Sequence, residues 1–319
     1  MTVQDFDAGV REAEPSILEA PVFDDDIDDL ELRLGADSLV WKFYGDIRGL
    51  FGFQRLAGTE NCIEQLAKGV EDHSVIFSDF IGRARRTGPP IMRTVYSDDP
   101  YGWGHKVRDF HRDIKGTISD GSRYHALNPE LFYWAHATFV DQVIYITDTF
   151  IRRLSDAEKE QIFEESKVWY QLYGVSARSQ PQTYAEFLEY WNAMCDRFVP
   201  TKTIVYATGY LRQGIPGPRW IPKPLWKVLS PPLNAFVRTV IIGTLPQQMR
   251  DVCRLDWNPR MQRRFDRFTK VMRAMNPVFN KLPAKWLFVE WAYEGWEREG
   301  VDPRKIHNRP GALKALRAQ

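Results

Sequence analysis

An all-α fold is predicted by three features of the 319-residue sequence: two capping-box spacings, an Asn-Pro helix start ahead of a long apolar run, and the scarcity of apolar–polar alternation. In chain order, Gly102 and Gly104 precede a short helix expected from His105 to Lys115 and closed by Gly116. Its apolar stripe is Val107, Phe110 and Ile114, and His111 falls within that stripe. Asn128 and Pro129 supply the N-cap and first turn of ELFYWAHATFVDQVIYITDTF, which is hydrophobic nearly all round and therefore expected at the centre. Ser155 and Glu158 open a further helix that ends at Gly174, and Thr183 and Glu186 open another that runs through about Phe198. Strand-like alternation is confined mainly to Thr203–Thr208. The Gly- and Pro-rich stretch from Gly209 to Pro232 reads as a long ordered loop, because Trp220 and Trp226 resist solvation. Met261, Phe265, Phe268, Met272 and Met275 then mark one helical stripe, crowded by Arg260, Arg263, Arg264, Arg267, Lys270 and Arg273. That basic side reads as a solvated face, with contact to an anionic membrane surface as the alternative.

Composition narrows the class. Hydrophobic residues at 44% and charged residues at 27% are those of an ordinary globular protein. Cys62, Cys195 and Cys253 are odd in number and far apart, which excludes a disulfide framework and a CxxC zinc site and suits a reducing compartment. The first residues lack a basic and then apolar signal pattern, and no uncharged apolar run reaches the roughly 18 residues that span a bilayer. A cytoplasmic location is expected, with peripheral attachment to the membrane left open. The formal net charge of +1 conceals an asymmetry: residues 1–31 hold eleven acidic residues against one Arg. Such a segment reads as a solvated acidic arm, or as one that packs on the basic remainder.

Two of the six histidines stand on apolar faces. His111 shares the stripe of Val107 and Ile114, and His136 has Phe132, Phe139 and Val140 one turn away. A buried imidazole needs a hydrogen bond, a metal or a haem iron, and an ordinary core histidine meets the need with the first. Phosphate loops, GxSxG elbows and HExxH pairs do not occur. The basic residues are dispersed, so no nucleic-acid partner is expected. A non-haem iron site from His111, His136 and Asp141 is disfavoured, because His136 and Asp141 stand about 140° apart on one helix. Taken alone, Arg83 and Arg86 read as helix-end caps or pairs, Thr87 as an N-cap, and Arg108 as a partner of Asp109 or Asp113. His125 reads as a loop residue.

The strings VEDHSVIFSDFIGRARRTG, HKVRDFHRDIKGTISDGSRYHALNPELFYWAHATFVDQ, SDAEKEQIFEESKVWYQLYG and PQTYAEFLEYW occur in that order and resemble the MpaB-type oxygenase family, which includes the rubber oxygenases. The resemblance spans about residues 38–275. It implies a globin-like helical core with additional helices, holding haem b and using O₂ as co-substrate. The family's Arg-x-x-His pattern falls on Arg108-Asp109-Phe110-His111, which makes His111 the implied proximal iron ligand. A distal Arg-x-x-Lys-Thr pattern falls on Arg83, Arg86 and Thr87, with Arg86 in place of the Lys. A guanidinium stays protonated and ligates iron poorly, whereas a neutral Lys coordinates it. Thr138 matches a threonine of the long helix, and His136 belongs to the wider family pattern; both are implied near the cofactor. The implied function is a haem-dependent oxygenase acting on an apolar or lipid-like molecule of olefinic or isoprenoid type. A haem-binding or haem-sensing protein without turnover is the alternative that the missing Lys keeps open. The organisation expected is an acidic arm over 1–35, a haem-binding helical core over 36–215, and a C-terminal helical part over 216–319 packed on the same domain.

Overall fold

The computed structural model describes residues 33–302, and nearly all of the acidic arm falls outside them. Helices dominate. Ser38 starts α1 (Leu39–Tyr44) by accepting the Trp41 N–H at 3.1 Å, and Asp46 caps the 3-10 turn Ile47–Gly52 that leads into α2 (Phe53–Asn61) and α3 (Glu64–His73). Asp79 caps α4 (Phe80–Tyr96), a helix that carries Pro89 and Pro90 in its interior. Neither proline has an N–H to return to the carbonyls of Arg85 and Arg86. Asp99 and Pro100 start α5 (Pro100–Asp109). Gly104 lets this helix lie close on the chain after α7, since a Cβ there would sit 2.0 Å from the Leu172 carbonyl oxygen.

A short hairpin follows, β1 (Lys115–Thr117) antiparallel to β2 (Arg123–His125), with Gly116 opposite Tyr124. The central element is α6 (Pro129–Ile146), capped by Asn128 and prolonged by a π-helical turn, Thr147–Ile151. Its buried residues occur on every side, as the apolar composition demands, and α2, α7 and the 3-10 turn pack around it. Ser155 and Glu158 form a full capping box at the start of α7 (Asp156–Gln171), and Gly174 closes the turn beyond it at φ +63°. Next come α8 (Tyr184–Asp196), α9 (Lys202–Ala207), α10 (Gly209–Gln213), α11 (Lys223–Thr244) and α12 (Gln247–Val252). The described chain ends with α13 (Pro259–Ala274), α14 (Asn276–Phe279), α15 (Ala284–Leu287) and α16 (Glu290–Arg298). The later helices pack back on the earlier ones: α16 on α4, α13 on the π turn, and α11 on the 3-10 turn.

Three expectations are corrected. Thr203–Thr208 is not a strand: Thr201 accepts the Ile204 N–H at 3.2 Å and starts α9. The short helix runs Pro100–Asp109 rather than His105–Lys115, so Gly116 belongs to β1, and Phe110 is 55% exposed instead of facing the core. The loop of Gly209–Pro232 is largely helical, with α10 and the first half of α11 inside it, and Trp220 is 82% exposed. On α13 the apolar stripe buries Phe265 and packs Met261, Phe268 and Met272 on the body, while Arg260, Arg263, Arg264, Arg267 and Lys270 are exposed, as a solvated face requires.

Candidate functional site

A cavity of about 620 Å³ lies between the 3-10 turn, α2, α3, α4, α6 and the turn that follows α5. Its wall is mainly apolar: Leu56, Leu66, Val70, Ile91, Met92, Val107, Ile114, Leu131, Phe132 and Phe139 all contribute. A space of this size and lining suits a small apolar molecule or an organic cofactor.

His111 enters this wall from the turn beyond α5, its N–H donating to the Arg108 carbonyl at 2.9 Å. The imidazole Nδ1 lies 2.8 Å from the Val107 carbonyl oxygen. A carbonyl only accepts, so Nδ1 carries the proton and the neutral ring keeps its lone pair on Nε2. Burial pushes the His111 pKa down, and the Arg83 cation adds to the effect, which holds the ring neutral at physiological pH. Phe132 packs edge-on against it, ring centres 5.7 Å apart. An imidazole held neutral by a carbonyl in this way keeps its Nε2 lone pair available as an acceptor at the cavity wall.

His136 is also in the wall. Its Nε2 donates to the Ser166 carbonyl at 3.1 Å, and burial lowers its pKa to about 3. The Nδ1 lone pair is buried without a protein partner, as are Asn61 Oδ1, Gln142 Oε1 and Tyr124 Oη among the lining residues. Buried polar atoms are usually satisfied, so four such atoms around one cavity point to a ligand or water that completes them. Asp141 is not part of this set. Arg55 holds both of its oxygens, at 2.5 and 2.8 Å, which removes it as a partner of the histidines. Among the described residues no three of His, Cys, Asp and Glu are grouped to hold a metal ion.

The sequence reading did not single out Glu60. This α2 residue lines the cavity, and burial pushes its pKa up to about 7, opposed by the Arg83 cation and by the Thr138 hydrogen bond. Thr138 Oγ1 reaches Glu60 Oε1 at 3.1 Å and the Ala135 carbonyl at 2.7 Å. Thr138 is therefore a neighbour of the cavity that steadies Glu60. No local pattern in GTENC announces this, because the partners come from α4 and α6.

Arg83, Arg86 and Thr87 of the RARRT string share one shallow surface pocket with Ser74 and Asp79, but Arg86 does not line the main cavity. Arg83 lines the cavity, with its Nε donating to Ser74 Oγ at 2.9 Å. Thr87 also lies on the wall, its hydroxyl donating to the Arg83 carbonyl at 3.1 Å. Arg86 is turned outward to Asp79, 3.2 Å away, and is 60% exposed. The other guanidinium on the cavity wall is that of Arg85. Arg108 is buried behind the His111 turn, where its Nε donates to Asp109 Oδ1 at 3.0 Å, and it is not among the lining residues. His125 accepts the Leu127 N–H in the hairpin at 3.0 Å.

Residues 41–274 match the model of a family described as the ER-bound oxygenase mpaB/B' and rubber oxygenase catalytic domain. Two curated relatives, uncharacterised proteins of Mycobacterium bovis and Mycobacterium tuberculosis, are each 27% identical over 229 residues, covering 70% of this chain and 84% of the relative. No solved structure matches the chain.

Proposed function

The chain belongs to the mpaB/rubber oxygenase catalytic-domain family, and from that premise we propose that it is a haem-b-dependent oxygenase of an apolar, olefinic or isoprenoid molecule, with His111 as the proximal ligand. A globin-like enclosure of the haem by α2–α6 is part of this reading. The observation that carries it is the Nδ1–Val107 hydrogen bond, which leaves Nε2 of a neutral imidazole for iron. Haem, when bound, supplies the binding and activation of O₂.

The chain's own residues have separable tasks. The Val107 carbonyl orients His111 and raises its basicity as a ligand. Phe132 and Phe139 make the cavity wall apolar and favour an apolar substrate. Arg83 is a cation pinned by Ser74 at the cavity wall, suited to a carboxylate or to negative charge that grows during oxygen chemistry. Glu60, with a pKa of about 7, holds or releases a proton at its carboxyl near neutral pH. Thr138 fixes the carboxyl's position.

The test is the absorption spectrum of the purified protein given haem. The wild type is expected to show a Soret band, and His111→Ala to fold with little haem. Full Soret intensity in His111→Ala overturns the assignment, and loss in His136→Ala alone would transfer the role to His136.

A further inference from the structure

The first half of α11 stands out from the body. Trp220 in the preceding loop is 82% exposed and Val228 is 73% exposed, and Leu225, Leu229, Leu233 and Phe236 are also largely open. Arg219, Lys223 and Lys227 are exposed among them. Residues 197–250 contain eight Lys or Arg and no Asp or Glu, in a chain whose formal net charge is +1. Large apolar side chains with cations and no anions are the composition of a helix that lies in the interface of an acidic membrane. No helix among the described residues is long and apolar enough to cross one.

The cavity opens nearby. Phe236 of α11 packs on Phe268, ring centres 5.3 Å apart, and Phe268 packs on Phe51 of the 3-10 turn at 5.7 Å. The neighbouring Leu50 and Phe53 are exposed and also line the cavity. An apolar surface thus continues from α11 to the rim of the site.

We propose that the exposed part of α11, with the loop before it, docks on an anionic lipid bilayer and sets the Leu50–Phe53 rim against the lipid that delivers the substrate. A two-fold contact between copies would set this stretch of like charge against itself, which disfavours a second chain as the occupant. The surface rests on the proposed function only for what passes the rim. Lipid binding itself needs neither haem nor turnover, so either reading can fail alone.

The experiment is flotation of the full chain with vesicles. Binding is expected to vesicles of equal parts phosphatidylcholine and phosphatidylserine, weak binding to phosphatidylcholine alone, and release by salt. Lys223→Gln and Lys227→Gln should each weaken it about fivefold, and Val228→Glu by about tenfold or more, with helical signal and melting unchanged because these side chains are exposed. A benzophenone attached to Val228→Cys should cross-link to lipid. No binding to the acidic vesicles, equal binding to both compositions, or binding unchanged in Val228→Glu overturns the proposal. So does lipid-free cross-linking to a second copy or to residues 1–32, which would make either of those the occupant.

Discussion

Glu60 and Glu165 are both enclosed carboxyls whose pKa burial pushes up to about 7, yet they do different work. Glu165, on α7, accepts the Val40 N–H at the start of α1 at 2.8 Å and the Gln161 amide at 2.8 Å. Both oxygens are committed, and the group ties two helices whose residues lie far apart in sequence. Glu60 takes a hydrogen bond from Thr138 and otherwise faces the wall of the cavity. A displaced pKa therefore does not by itself mark a site. Uncommitted hydrogen-bonding capacity beside open space does, and the same criterion singles out His111 and His136.

The widest separation between the two carboxyls is expected in turnover. Glu60→Gln keeps the shape and the Thr138 contact but removes the proton-transfer group, so oxygen-dependent turnover of the haem-loaded protein should fall about 10²–10⁴-fold with melting little changed. Unaltered turnover on a confirmed substrate would erase the distinction. Glu165→Ala is the opposite case: it strands the Val40 N–H, at a cost of about 1–3 kcal/mol of stability, while turnover per folded molecule stays the same. Denaturant unfolding and a rate normalised to haem content check both halves.

The pH response sharpens the contrast. A carboxyl held at about 7 when folded and 4.5 when unfolded binds its proton more tightly in the native state. Its contribution is therefore greatest below about 4.5 and is lost as pH rises towards 7. His136, lowered to about 3, acts in the other direction, since below 6.5 the unfolded chain takes the proton first. The carboxylate share is read from the difference between wild type and each of two isosteric variants, Glu60→Gln and Glu165→Gln. Both variants should flatten stability in this window, and only Glu60→Gln should also remove a step from the pH–rate profile. The smallest effect is expected at Arg86, which is 60% exposed and pairs with Asp79 outside the main cavity: Arg86→Ala should change stability by no more than about 0.5 kcal/mol and leave turnover alone, whereas Arg83→Ala lowers turnover. A steep loss in Arg86→Ala would bring that residue back to the chemistry.

Much of the scaffold was legible because its signals are local. Asn128-Pro129 and Ser155–Glu158 start helices through contacts within four residues. His111 and His136 were found from their apolar neighbours, although His111 stands on a turn rather than a helix. Thr203–Thr208 misled because β-branched residues favour strands, and a cap at Thr201 outweighed that preference. Pro231 and Pro232 suggested a loop, yet α11 continues through them. The carbonyls they orphan, of Lys227 and Val228, lie on an exposed stretch, where burial does not penalise the missing bonds. Glu60 was invisible for a different reason. Its meaning depends on Thr138, 78 residues away, and on the emptiness beside it.

The paired prolines of α4 have a consequence for amide exchange. Behind them, Thr94, Val95 and Tyr96 are buried, and the Tyr96 hydroxyl donates to the Trp41 carbonyl at 2.8 Å while accepting the Gly45 N–H at 2.8 Å. In front of them, the segment with Arg83, Arg85 and Thr87 is joined to that anchor across two successive carbonyls that receive no helical N–H. The helix is therefore expected to open as two cooperative units rather than one. Deuterium should enter the amides of Arg83–Gly88 through a local opening well below the global unfolding energy, while those of Met92–Tyr96 exchange with the core. The cation at the cavity wall rides on the unit that opens first, so the wall yields there without loosening the joint between α4 and α1.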